Sequence, residues 1–258
     1  MTAEPEYVDG FGDLGLSEGD TVLIHSSFIS FNWREYGGIE ELATVIFDSL
    51  YEVLGEEGTI IVPTFSFSFT DDSPNGYWNF VESESEMGVF TEYVRSHPES
   101  TRTVHPFYSF AIFGDLSDEL GRIHARDSFS TDYLFGNIHQ MNAQILILGL
   151  DYNSAMTFFH YVEQQEGVDY RYKKDFHGIM NIHGKEYYDT YSMLVRDLDR
   201  GIETHVNPMG ERLENEGVIE TKLIGGAEVK LGRAKNIYEA TAQNMKENEK
   251  LLYKENKD

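Results

Sequence analysis

Residues 144–166 read QILILGLDYNSAMTFFHYVEQQE, and the order of residue types in this stretch decides the fold class. Residues 145–150 are an apolar run containing Gly149, as in a strand buried on both faces of a sheet. The run stops at a carboxylate, Asp151, and after Tyr152 comes Asn153-Ser154, a pair suited to capping a helix. In the helix this predicts over 155–165, His160 and Glu163 stand three residues apart and project from one side. A buried strand that leads into a helix carrying an imidazole and a carboxylate is a common setting for chemistry in an open α/β sheet. The same pattern also describes a core histidine satisfied by a glutamate, so these residues alone leave both readings open.

Upstream, residues 21–24 predict a short β-branched strand that ends in His25-Ser26-Ser27-Phe28, polar groups at the edge where such sheets hold ligands. Residues 17–20 read as a turn after an acidic lead-in. Gly37-Gly38 precede a helix over 39–54, apolar at helical spacing, with Gly55 as its stop. Residues 59–62 predict a second strand, closed by Pro63, and strand–helix–strand order implies a parallel pair joined by a right-handed crossover. Residues 68–87, with Pro74, Gly76 and the aromatics Tyr77 and Trp78, read as a long exposed loop. Short helices are expected over 89–96, 116–124 and 134–141, and a third strand over 108–113.

Downstream, residues 168–174 (VDYRYKK) read as a solvated strand face bearing Arg171, Lys173 and Lys174. Residues 179–183 and 185–196 predict a hairpin turning at His183-Gly184. Strands over 218–224 and 227–231 join through Gly225-Gly226, and a charged helix spans 236–253. The expected fold is α/β, a mainly parallel sheet flanked by helices (α/β/α), with an antiparallel addition at about 175–231 and a single domain over 1–258.

The formal net charge of -25 argues against nucleic acid or an anionic membrane as partner and suits a cationic small molecule. No cysteine is present, which excludes a thiolate metal site and a cysteine nucleophile. There is no membrane-span-length apolar stretch and no basic-then-apolar leader, so a cytoplasmic location is expected. Only His160 and Glu163 form a tight pair of possible ligands, which does not make a metal site. No glycine-rich dinucleotide or ATP motif occurs.

Four blocks, VLIHSSF (22–28), GTIIVPTFS (58–66), RTVHPFYSFAIFG (102–114) and ILGLDYNSAMTFFHYVE (147–163), resemble the aminoglycoside 3-N-acetyltransferases and their relatives acting on other amino sugars. GRAKNIYEA (232–240) resembles the start of that family's C-terminal helix. The resemblance implies an α/β/α fold and an antibiotic N-acetyltransferase-like activity that moves an acetyl group from acetyl-CoA to an amine. The run from Asp151 to Thr157 departs from the G-H-D-S-N-T run of many aminoglycoside-modifying members, which suits an acceptor that is another amino sugar or amine. A homo-oligomer is compatible with everything in the sequence.

Acyl transfer needs the attacking amine to be neutral, hence a base near neutral pH, and histidine is the natural choice. The resemblance points to His160, with Glu163 or Asp151 orienting it or holding the substrate ammonium. It also places the segment carrying Arg102, Thr103, Val104, His105 and Ser109 beside the acyl-CoA. Arg102 is a candidate for a CoA phosphate and His105 for a cofactor hydrogen bond, while Thr64 would line the same cleft. At the strand end, His25, Ser26, Ser27 and Phe28 border the thioester, the Ser27 or Phe28 N–H polarising its carbonyl. Two other readings stand beside this one: a serine hydrolase built on Ser26 or Ser27, although no G-x-S-x-G elbow is present, and a non-catalytic binder of CoA or amino sugars.

Overall fold

The computed structural model describes residues 2–70 and 76–256. In chain order its elements are α1 (Pro5–Leu14), β1 (Thr21–Ser26), α2 (Ile39–Leu54), β2 (Thr59–Pro63), β3 (Gly76–Asn79), α3 (Val89–Arg95), β4 (Thr101–Arg102), β5 (Phe110–Gly114), α4 (Ser117–Gly121) and α5 (Leu134–Gln140). There follow β6 (Gln144–Leu148), α6 (Tyr152–Ala155), α7 (Phe158–Glu166), β7 (Arg171–Ile182), β8 (Lys185–Arg196), β9 (Ile202–Thr204), α8 (Asn207–Asn215), β10 (Glu220–Ile224), β11 (Ala227–Arg233), α9 (Ala234–Glu247) and β12 (Tyr253–Glu255).

The central sheet runs β10-β11-β6-β1-β2-β5-β4. At its centre β1 pairs in parallel with β2 and with β6, so that Ser26 faces Leu148 across the ladder. The margins are antiparallel: β5 against β2, and β11 against β6. Strand periodicity of two sends alternate apolar side chains to opposite faces. Val22, Ile24, Ile60 and Leu146 pack under Leu42, Ile46 and Leu50 of α2 and Phe11 of α1. Leu23, Ile61, Ile145 and Ile147 join Phe135 of α5, Phe158 and Phe159 of α7 and Ile237 of α9 on the other face. The layering is the expected α/β/α, with the parallel strands in the middle.

Five segments differ from expectation. The acidic lead-in contains α1, with Pro5 in its first turn and Gly15 in the left-handed region (φ 117°) closing it onto the Phe11 and Gly12 carbonyls. Within 68–87, Pro74 lies outside the described residues, and β3 is no loop: it pairs in parallel with β7. Trp78 is fully buried there, while Tyr77 is exposed as expected. The helix foreseen over 155–165 is two, broken at Met156 (ψ 57°). The cap of α6 is Asp151, whose carboxylate accepts the Ser154 N–H at 2.9 Å, rather than the Asn153-Ser154 pair. The antiparallel addition divides: β7 and β8 form a separate sheet with β3, whereas β10 and β11 extend the central one. Residues 253–255 form β12 against β9 instead of continuing the last helix. The β7–β8 turn falls at His183 and Gly184, both at positive φ (49° and 81°), a two-residue arrangement that matches the twist of a hairpin.

Candidate active site

Helix α7 buries Phe158, Phe159, Tyr161 and Val162 against the sheet. Its remaining edge brings His160 and Glu163 together: Nδ1 lies 2.6 Å from Oε2. The carboxylate has no exposed surface, and the imidazole keeps 18% of its own. Gly167, left-handed at φ 69°, ends the helix and lets the chain fold back, so that residues 170 and 171 return to the same carboxylate. The Tyr170 hydroxyl donates to Glu163 Oε1 at 2.9 Å. Arg171 Nε stands 2.8 Å from Oε2 but off the N–H axis, an ion pair more than a directed hydrogen bond. Its Nη2 donates to Thr204 Oγ1 at 3.0 Å.

Charge follows from this geometry. Burial would raise the Glu163 carboxyl, but His160 and Arg171 outweigh it and hold it below the usual carboxylate range. Burial first, and then the Arg171 charge, push the His160 imidazole below its ordinary value, against the upward pull of Glu163. With Nδ1–H donating to the carboxylate, the tautomer this pairing selects carries its lone pair on Nε2. The ring lines a cavity of about 510 Å³ with Tyr108, Asn153, Arg171, Arg196 and Thr204. Burial pushes the Tyr108 phenol up to about 12.

A second cavity, about 500 Å³, opens at the C-terminal end of β1, lined by Ser26, Ser27, Phe28, Gly88, Phe90 and Ser154. A third, about 520 Å³, is acidic, with Asp151, Glu211, Glu214, Glu228 and Lys230. Helix α6 stands among all three, since Asp151, Asn153 and Ser154 each face a different one. His160 and the Ser26-Ser27-Phe28 turn thus line neighbouring cavities, not one shared cleft.

The partner of His160 is Glu163. Asp151 instead accepts from the Ser154 N–H and from Asn207 Nδ2 at 3.0 Å. Glu163, enclosed on every side, is not open to a substrate ammonium. The Ser27 N–H donates to the Leu148 carbonyl at 2.8 Å and is not free to polarise a thioester; the Phe28 N–H has no partner among the described residues. His25 is buried, its Nε2 has no hydrogen-bond partner among the described residues, and burial lowers its pKa to about 4. No histidine hydrogen-bonds Ser26 or Ser27 among the described residues, so the activating contact of a serine hydrolase is not made.

The segment expected beside acyl-CoA is turned inward. Arg102 donates to the Phe80, Ser83 and Thr64 carbonyls at 3.0, 2.7 and 3.2 Å and to Ser109 Oγ at 3.2 Å; all but one of its N–H donors are thus spent inside the protein, and burial lowers the guanidinium to about 10. Ser109 Oγ donates to the Thr64 carbonyl at 2.8 Å and lies 2.9 Å from Thr64 Oγ1. Thr103 Oγ1 accepts the Phe110 N–H and contacts the Tyr133 hydroxyl, both at 2.9 Å. His105, fully buried, accepts the Phe107 and Tyr108 N–H groups on Nδ1 at 3.2 and 3.1 Å, which fixes the turn through Pro106. Of the five candidates, Val104 lines a cavity of about 460 Å³ that it shares with His124 and Tyr191, whereas Tyr108 of the same segment lines the His160 cavity. Sequence reasoning missed Tyr170 and Tyr108 and assigned Arg171 to solvent. The tyrosine-and-base run was visible, but which of its side chains turns inward depends on the β7 register.

Among the described residues no group of three or more His, Cys, Asp or Glu is placed to hold a metal, and no helix is long and apolar enough to cross a membrane.

Residues 23–246 match the family described as aminoglycoside 3-N-acetyltransferase. The SPbeta prophage-derived aminoglycoside N(3')-acetyltransferase-like protein YokD of Bacillus subtilis (strain 168) is 31% identical over 170 residues, 58% of this chain and 60% of that protein. Its crystal structure superposes with a TM-score of 0.78 at 23% identity, over 95% of this chain and 93% of that one. Aminoglycoside N(3)-acetyltransferase IV from Salmonella sp is 28% identical over 170 residues, 64% of this chain and 60% of that protein. Each match thus spans about 60% of the length of the curated relative. A solved structure described as AAC-IIIb binary with CoASH shares the fold, with a TM-score of 0.77 at 16% identity over 93% of this chain and 95% of that one.

Proposed function

This chain belongs to the aminoglycoside 3-N-acetyltransferase family, and on that premise we propose that it transfers an acetyl group from acetyl-CoA directly to a primary amine of an aminoglycoside or other amino sugar, with His160 as general base. The observation that carries this reading is the 2.6 Å bond from His160 Nδ1 to a buried Glu163 carboxylate, with the ring on a cavity wall. The pair falls in the block whose resemblance implied the base, and one neighbour of the same fold is described with CoASH.

Acetyl-CoA supplies the acetyl group as a thioester. In this reading the cavity at the β1 end, lined by Ser26, Ser27 and Phe28, receives the acyl-bearing arm, and the His160 cavity takes the acceptor. Asn153 and Ser154, one in each wall, are consecutive residues of α6, so the two cavities adjoin across that helix. His160 Nε2 accepts the proton of the amine as its nitrogen bonds to the carbonyl carbon. The tetrahedral adduct then collapses with cleavage of the C–S bond, and the imidazolium returns the proton to the departing thiolate. Glu163 acts through His160 as a positioning residue, fixing the ring and balancing its transient charge. Residues 1–258 would act as one cytoplasmic catalytic unit.

The test is release of free thiol from acetyl-CoA across a panel of aminoglycosides, nucleotide-linked amino sugars and simple amines. Amine-dependent thiol release with an acetylated product supports the reading. CoA binding without turnover of any amine, or ester hydrolysis without CoA, contradicts it.

A further inference from the structure

The reading of His160 as base leaves a difficulty of charge. A carboxylate with no solvent of its own, 2.6 Å from an imidazole, favours the imidazolium, which has no lone pair left to accept a proton. The groups facing the ring are Glu163 from α7, Tyr170 and Arg171 from the segment entering β7, Arg196 from the end of β8, and Tyr108 from the segment before β5. The strand of loop that brings Phe129 against the ring also carries Asp127, but that carboxylate is engaged by Lys173 and Gln164. Glu163 is therefore the anion that acts on His160, and Arg171 is the cation closest to Glu163.

We propose that Arg171 is a positioning residue whose guanidinium balances the Glu163 charge, so that the carboxylate orients the imidazole without holding it in the imidazolium form. The geometry suits this and little else. Arg171 keeps 4% of its side chain exposed, and although it lines the cavity with His160, its Nε stands 2.8 Å from the carboxylate. Its Nη2 is anchored on Thr204 Oγ1 in β9, and Tyr170 occupies the second carboxylate oxygen with a neutral donor. One oxygen is thus fixed by a hydroxyl, and the other is shared between an imidazole N–H and a guanidinium. A buried ion pair of this kind contributes little net stability; its consequence falls on the imidazole.

The inference rests on the general-base reading, and its test is independent of turnover. Protein labelled with 13C-histidine is titrated by NMR, the His160 signal being identified by its absence in His160→Ala. The His160 midpoint of the unaltered protein is expected below that of an ordinary imidazole. In Arg171→Gln it is expected to rise by about one pH unit or more; in Arg171→Lys, which retains the charge, it stays near the original. An unchanged midpoint in Arg171→Gln with an otherwise native spectrum overturns the proposal. Should Arg171→Gln fail to fold, Glu163→Gln serves instead: with the anion gone and the guanidinium kept, the midpoint must fall below that of the unaltered protein, and an unchanged one overturns the proposal. Full activity in His160→Ala would defeat the general-base reading while leaving the titration result standing, so the two failures are distinguishable.

Discussion

His160 Nδ1 lies 2.6 Å from Glu163 Oε2, on a carboxylate with no exposed surface. An i,i+3 pair on a solvated helix is an ordinary surface contact worth a few tenths of a kcal/mol. Here the carboxylate is sealed by Tyr170 and Arg171, and the imidazole, with Arg171 beside it, lines the cavity. The sequence places the pair on one side of a helix; the return of the chain at Gly167 brings Tyr170 and Arg171 onto the carboxylate that orients the imidazole.

Glu163→Gln should destabilise the fold as well as slow the reaction. Arg171 would be left as a buried charge without its partner, a loss of roughly 3–5 kcal/mol. For a chain of this length that corresponds to a melting temperature lower by about 10 °C. An unchanged melting temperature would mean that Arg171 finds solvent or another anion.

Arg102→Ala should act on stability and not on the cofactor. Its guanidinium ties the Phe80 and Ser83 carbonyls to β2 and covers the Trp78 ring at 5.0 Å. Removal leaves buried carbonyls unpaired, at a cost of about 3 kcal/mol or more in urea unfolding. A variant of normal stability with weakened CoA affinity would restore the phosphate-binding role expected from the sequence.

Two histidines set an acid limit. His25 and His105 are lowered by burial to about 4 and about 3, below the ordinary value they regain on unfolding. The unfolded chain therefore takes up these protons first. Stability is fully present above about pH 6.5 and is lost as pH falls from there toward 3. Urea midpoints should be level from pH 8 to 6.5 and decline below. In His25→Leu, which also removes an unpartnered buried nitrogen, the decline should be shallower and stability at pH 7.5 unchanged or higher by about 1 kcal/mol. A loss above about 2 kcal/mol at pH 7.5 would show that the nitrogen has a partner.

What the sequence made legible is what local periodicity controls. The alternation of β8, the spacing of α2 with its Gly55 stop, and the buried runs of β1, β2 and β6 each follow from neighbours a few residues away. Helix α1 was hidden because its acidic residues dilute a Tyr7, Phe11, Leu14 stripe, although Pro5 and Gly15 marked its ends. Arg102, Thr103, His105 and Ser109 are expected at the ligand because the block that carries them resembles the family segment beside the acyl-CoA. Their actual partners, the carbonyls of residues 64, 80 and 83 and the N–H groups of 107, 108 and 110, are identified only once the turn at Pro106 and the position of β3 are known. Arg171 is the sharpest case. In an alternating tyrosine-and-base run one face must turn inward, and only the pairing of Arg171 with Arg196 across the hairpin decides which.

The most direct measurement compares His160→Ala with the unaltered protein in amine-dependent thiol release from acetyl-CoA, alongside CoA binding by calorimetry. The account predicts turnover reduced by roughly 10²–10⁴-fold with CoA affinity within about threefold of the original. Turnover retained at the level of the unaltered protein would contradict it.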